Sequence, residues 1–129
     1  MLTDGIKGLR VLIVEDESMI AMLMEDMLLD MGCVIVGVST GVEDAIERIS
    51  TVVFDAAILD LNLNGRPSYP VAQVLRDKSI PFLLSTGYGT AGVPQEFSHV
   101  PTLTKPFRQP DLEQALRVAL ASDGGTKAG

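Results

Sequence analysis

The sequence predicts an α/β domain built around a mostly parallel sheet, and three observations carry that prediction. Short β-branched runs alternate with stretches of helical periodicity. The run ending at Leu59 is apolar throughout, as a strand covered on both faces must be. Polar residues stand at the ends of the strand-like runs rather than inside them. Taken in order, Arg10 to Val14 reads as the first strand. Ser18 is the expected N-cap of a helix in which Ile20, Leu23, Met24, Met27, Leu28 and Met31 recur at helical spacing until Gly32 stops the pattern. Val34 to Val38 is the second strand, and residues 41–50 form the second helix, with Ala45, Ile46 and Ile49 facing inward. Phe54 to Leu59 is the third strand and ends abruptly in Asp60. A third helix is expected after Pro70, with Val71, Val74 and Leu75 on its inner face, and Pro81 opens a fourth strand from Phe82 to Ser85. Thr102 to Thr104 is a brief fifth strand. Pro110 then starts a last helix carrying Leu112, Ala115, Leu116, Ala119 and Leu120 inward.

Two stretches break the alternation. Residues 87–101 hold three glycines and two prolines, so the helix expected between the fourth and fifth strands should be short, shifted or mobile. Residues 122–129 are Gly-rich and are expected to form a flexible tail, which leaves residues 1–121 as the single domain. A chain of 129 residues, 47% hydrophobic, is enough for one continuous core.

The net charge of −7, from 17 acidic against 10 basic residues, argues against a nucleic-acid-binding surface. No apolar run approaches the roughly 20 residues that span a bilayer, and the N-terminus lacks a secretory pattern. The expectation is a cytoplasmic protein with neither membrane nor nucleic acid as partner. Cys33 stands alone and is expected as a buried structural thiol. His99 is the only histidine and reads as a loop residue, so a multi-histidine metal site has no support.

In an open parallel sheet, functional groups gather at the carboxyl ends of the strands. Glu15 and Asp16 follow the first strand, Asp60 closes the third, Thr86 closes the fourth and Lys105 follows the fifth. Three carboxylates meeting there need a cation or a proton between them, and oxygen-only ligands suit a hard Mg²⁺. Glu15 and Asp16 alone would also suit a helix start, where acidic groups complement the macrodipole. Asp60 is harder to explain that way, because it is flanked by Ile58, Leu59 and Leu61 and an ionised group in an apolar run needs a partner or a task. The chemistry these residues allow is phosphoryl transfer to Asp60. Lys105 would hold one phosphoryl oxygen and the Thr86 hydroxyl would donate to another. That last bond exists only while the phosphoryl group is present, which makes a switch.

The ordered set Glu15-Asp16, Asp60, Thr86 and Lys105-Pro106-Phe107 resembles the receiver domains of bacterial two-component systems, over residues 8–121. The resemblance implies a flavodoxin-like (βα)₅ three-layer sandwich with a central five-stranded parallel sheet. It implies Asp60 as phosphoacceptor, with Thr86 and Lys105 serving the transfer. Glu15, Asp16, Asp60 and the main-chain carbonyl of Asn62 would hold Mg²⁺, Glu15 partly through water, and the bond before Pro106 would be cis. The implied phosphodonor is a histidine kinase or a histidine phosphotransfer protein. The chain itself reads as a stand-alone response regulator, a monomer or weak homodimer. It would signal by protein–protein interaction or drain phosphoryl groups as a phosphate sink, and it would catalyse only its own phosphorylation and dephosphorylation.

Two departures qualify the match. Thr102 stands where the common switch has an aromatic residue. The segment Phe82-Leu83-Leu84-Ser85-Thr86-Gly87-Tyr88-Gly89 resembles instead the FAT GUY receivers, which lack that aromatic and have an altered fourth helix, so Tyr88 becomes a candidate for the readout. The loop Arg66-Pro67-Ser68-Tyr69-Pro70 is expected to reshape the start of the third helix. The competing readings are a small phosphatase with Asp60 as nucleophile, which would want a second Asp where Asn62 stands, and a degenerate receiver serving only as an interaction module.

Overall fold

The computed structural model describes residues 5–87 and 92–128, with side chains as far as Ala121. In chain order the elements are β1 (Arg10–Val14), α1 (Ser18–Asp30), β2 (Val34–Ser39), α2 (Val42–Thr51), β3 (Ala56–Asp60), β4 (Asn62–Leu63), β5 (Arg66–Pro67), α3 (Tyr69–Asp77), β6 (Phe82–Thr86), β7 (Thr102–Thr104) and α4 (Gln109–Ala128). Five strands form one sheet in the order β2-β1-β3-β6-β7, and every pairing in it is parallel. This is the doubly wound arrangement the sequence predicts, with helices on both faces.

Side chains alternate across the strands, and each face gathers its own core. Leu12, Leu59 and Leu84 join Val42, Ile49, Val71 and Leu75 of α2 and α3 on one side. Ile13, Ile58 and Leu83 join Met24, Leu28, Leu112 and Leu116 of α1 and α4 on the other. Burial of all five residues of β3 explains why its sequence is apolar up to Asp60. Cys33 is buried, as its setting predicts, with its thiol 3.5 Å from the Ile6 carbonyl.

Four details differ from the sequence expectation. α1 starts at Ser18 itself; Glu17 occupies the N-cap position, and no side chain caps the helix. Its buried stripe is Ala21, Met24 and Leu28, whereas Leu23, expected inside, is 52% exposed. At 3.6 residues per turn Leu23 lies about 200° round the helix from Ala21, so it faces away from the sheet when Ala21, Met24 and Leu28 meet it. After β3, β4 and β5 pair antiparallel around Asn64 and Gly65, whose φ values are 54° and 83°. Two successive positive φ values are the signature of a type I′ turn, which Asn-Gly favours. Between β6 and β7 the expectation holds: the described residues contain the 3₁₀ turn Gln95–Phe97 and no α-helix, in agreement with the glycines and prolines there. Finally, the helical backbone of α4 runs on to Ala128, across the stretch expected as a tail, because adding residues to an existing helix avoids the cost of a new nucleus. No described helix is long and apolar enough to cross a membrane.

Candidate functional site

The strand order reverses between β1 and β3: the chain steps outward from β1 to β2 and returns on the opposite side of β1. At such a switch point the loops diverge and leave a crevice at the carboxyl ends of the strands. Glu15 and Asp16 enter it from β1, and Asp60 enters it from β3. One carboxylate oxygen from each of the three lies within 4.8 Å of the others. Glu15 is fully buried, Asp60 is 5% exposed and Asp16 is half-buried.

Lys105 closes the crevice from the β7 side. Its Nζ donates to Asp60 Oδ2 at 3.0 Å and stands 3.1 Å from Glu15 Oε1, with Glu17 Oε1 at 3.5 Å. The Lys105 N–H donates to the Thr86 carbonyl at 2.8 Å, and the Lys105–Pro106 bond is cis. The backbone around Asp60 is tied down on the other side. Asp60 Oδ1 accepts the Asn62 N–H at 3.1 Å, and Asp16 Oδ2 accepts the Asn64 N–H at 3.1 Å, so the Asn-Gly turn leans on the acidic cluster. The buried Ser68 donates its hydroxyl to the Asp60 carbonyl at 2.6 Å and its N–H to the Leu61 carbonyl at 2.9 Å. Ser68 thereby joins the start of α3 to the strand end that carries Asp60.

Burial pushes the Glu15 carboxyl up to about 7, and the neighbouring Asp60 charge adds to the effect. Lys105 goes the other way: burial pulls its pKa down, but the hydrogen bonds to Asp60 and Glu15 outweigh it and hold the ammonium above its ordinary value. One cation therefore faces several carboxylates in a site largely shielded from water. Glu15 Oε1 accepts no hydrogen bond, although Lys105 is within ion-pairing distance. A buried, under-satisfied carboxylate beside two others, with only oxygen donors converging, fits a hard divalent cation.

A pH dependence follows from Glu15. Its folded pKa of about 7 lies above the ordinary 4.5, so the folded state binds this proton more tightly than the unfolded chain does. That contribution is fully present below about pH 4.5 and is lost as pH rises to about 7, a change of about 2–3 kcal/mol. In urea denaturation with chelator present, Glu15→Gln should remove this part of the pH dependence. A wild-type and variant difference that stays constant across the window would contradict the assignment.

Residues 11–117 match the response regulator receiver domain. The chain belongs to that family. Among relatives, this receiver is 30% identical over 115 residues to a probable transcriptional regulator, ycf27, of Guillardia theta, covering 86% of this chain but 45% of that protein. The receiver thus spans under half the length of the curated relative it matches. Its structure is similar to the solution structure of SdrG from Sphingomonas melonis Fr1, with 40% identity, 88% of this chain and 97% of that chain covered, and a TM-score of 0.80. At 21% identity and a TM-score of 0.77, it shares its fold with a sensor histidine kinase receiver domain from Pseudomonas aeruginosa, covering 89% of this chain and 99% of that one. That domain was solved with a magnesium ion coordinated in its active-site cleft.

Of the site residues named from the sequence, the receiver brings Glu15, Asp16, Asp60 and Lys105 into one cluster. Thr86 is buried at the end of β6, the strand beside β3. Asn62 reaches the cluster through its N–H. Tyr88 lies outside the described residues. Thr102 is half-buried on β7 and lines a surface groove of about 480 Å³ with Phe107, Asp111, Ala115 and Val118. Sequence reasoning passed over Ser68 and Glu17. Ser68 carried a usable signal, a serine directly before a Pro-containing helix start; Glu17 carried none beyond its neighbours.

Proposed function

We propose that this receiver accepts a phosphoryl group on Asp60 from a phosphohistidine-bearing kinase or phosphotransfer protein. The observation that supports it best is the buried Asp60 carboxylate held directly by Lys105 at 3.0 Å, beside two further acidic side chains. Glu15, Asp16 and Asp60, with the Asn62 main-chain carbonyl, would hold Mg²⁺. The cation would supply positive charge for the phosphoryl oxygens.

The receiver's own residues do the rest. Asp60 presents an oxygen to phosphorus, and the Asn62 N–H on Oδ1 fixes the plane of its carboxylate. Lys105 moves from carboxylate to phosphoryl oxygen, and the Thr86 hydroxyl turns to a second one. The receiver catalyses only its own phosphorylation and dephosphorylation. The donor's docking surface is the outer face of α1, where Met19, Met22, Leu23 and Leu29 are all more than half exposed and begin three residues after Asp16. Signalling then proceeds by protein–protein contact or by draining phosphoryl groups from a shared donor.

Incubation with acetyl phosphate and Mg²⁺ should add one phosphoryl group to the wild type, as read by intact-protein mass spectrometry, and none to Asp60→Asn. An equal increment on the Asp60→Asn variant would overturn the assignment, and no increment on either would overturn the receiver chemistry itself.

A further inference from the structure

Among the described residues, two buried side-chain polar atoms make no hydrogen bond: Glu15 Oε1 and Ser85 Oγ. The sheet register sets them on either side of Asp60. Ser85 is the ladder partner of Asp60 between β3 and β6, and the pairing of Val14 with Leu59 brings Glu15 level with Asp60 on the other side. Ile13, Ile58 and Leu83 all point into the core formed with α1 and α4. Glu15, Asp60 and Ser85 each lie two residues further on, so they form one row on that same side of the sheet. Lys105 Nζ contacts two of the three, Glu15 and Asp60.

Neighbouring strands are about 4.8 Å apart, so the backbones of Ser85 and Asp60 stand one strand spacing from each other and their side chains leave the sheet on the same side. Ser85 is fully buried, and its carbonyl is engaged by the Leu61 N–H. A buried hydroxyl without a partner destabilises the fold, and an alanine would fill the same place without that cost. The hydroxyl is therefore best explained by a state other than the one seen here. In this structure Asp60 Oδ2 is bound by Lys105 and Oδ1 by the Asn62 N–H. During transfer an Asp60 oxygen bonds to phosphorus as the bond from phosphorus to the donor breaks, and the electron pair leaves with the donor. Lys105 is then needed by a phosphoryl oxygen, and the carboxyl group loses a donor.

We infer that Ser85 is a positioning residue for this transfer: its hydroxyl donates to the Asp60 side chain when Lys105 turns to the phosphoryl group. The inference rests on Asp60 being the phosphoacceptor. The row Glu15–Asp60–Ser85 then has one neighbour for each task, an acidic group toward the cation and a neutral donor toward the acceptor.

The test uses the full chain with BeF₃⁻ as the phosphoryl mimic, together with Ser85→Ala and the near-isosteric weak donor Ser85→Cys. The alanine variant should unfold at or above the wild-type temperature and bind Mg²⁺ as wild type does, while its half-saturating BeF₃⁻ concentration rises about tenfold. The cysteine variant should fall between the two, which also covers an alanine variant that fails to fold. Unchanged BeF₃⁻ affinity in the variants would overturn the inference. So would parallel losses in melting temperature, Mg²⁺ and BeF₃⁻ binding, since they would mark a packing role. A wild type that ignores BeF₃⁻ would instead count against the phosphoacceptor reading and would be seen before any variant is made.

Discussion

Replacing Lys105 by methionine should lower the free energy of unfolding by about 3 kcal/mol near pH 8 without divalent cation, and by clearly less near pH 5. Methionine keeps most of the apolar stem and removes the charge. At the higher pH Glu15 carries its charge, and the Lys105 side chain, whose ammonium stands 3.0 Å from Asp60 and 3.1 Å from Glu15, is only 15% exposed. Removing one partner from a buried ionic cluster leaves the others uncompensated, and such losses run to about 3–5 kcal/mol. At the lower pH Glu15 takes up a proton, more readily once Lys105 no longer holds it down, and the remaining repulsion collapses.

The sign follows for Lys105 as well: its raised folded pKa gives stability that is fully present below its ordinary value of 10.5 and is lost only above it, so both conditions test a charged lysine. Urea titrations at the two pH values check the prediction. Equal losses at both would mean that packing of the lysine stem, and not the carboxylates, is what the substitution removes. On the proposed chemistry Mg²⁺ should restore part of the stability near pH 8, since it offers the same carboxylates another cation.

The same cluster shows what the sequence makes legible. A parallel sheet obliges strand ends to converge, so Glu15, Asp16, Asp60, Thr86 and Lys105 could be placed together from their positions after apolar runs alone. The apolar run of β3 announced its burial, and the alternation of runs announced the sheet. What stayed hidden depended on three-dimensional register or on short-range backbone choices. The Asn64-Gly65 turn was written in plain turn chemistry, yet its flanking strands are two residues each, too short to show alternation. Leu23 belongs to a helix with apolar residues on most sides, where periodicity cannot say which stripe meets the sheet. Ser68 and Ser85 are single small polar residues, and only burial shows them: one donates to the Asp60 carbonyl, and the other, paired with Asp60 in the sheet ladder, has a hydroxyl that makes no hydrogen bond.

The stretch between β6 and β7 supplies the second large effect. Among the described residues of this stretch, the largest fully buried side chain is that of Phe97, carried by the 3₁₀ turn. Its ring is 1% exposed and meets Phe82 edge-on, with centroids 6.3 Å apart at 72°. The Arg76 guanidinium of α3 lies 4.7 Å from the Phe97 ring centre, and its Nη1 donates to the Glu96 carbonyl at 3.0 Å. Val100 adds a second buried anchor, and the Pro101 carbonyl takes the Leu84 N–H at 2.9 Å as the chain enters β7.

Phe97→Ala would leave a cavity under the irregular segment. Partial collapse is the most the surrounding leucines and valines can offer, so the expected loss is about 3–4 kcal/mol in urea titration. Arg76→Ala should cost nearer 1 kcal/mol, because the Arg76 side chain is 37% exposed and its 3.9 Å ion pair with Glu96 faces solvent. The two substitutions together should cost less than their sum, since removing the ring also removes what Arg76 covers. Strict additivity would show that Arg76 holds this stretch through the Glu96 carbonyl and not through the ring. Hydrogen exchange at the Phe97 and Val100 amides, which donate to the Pro94 and Phe97 carbonyls, should accelerate in Phe97→Ala well before exchange in β3 does. Uniform acceleration across the sheet would mean instead that this segment opens only when the whole domain unfolds.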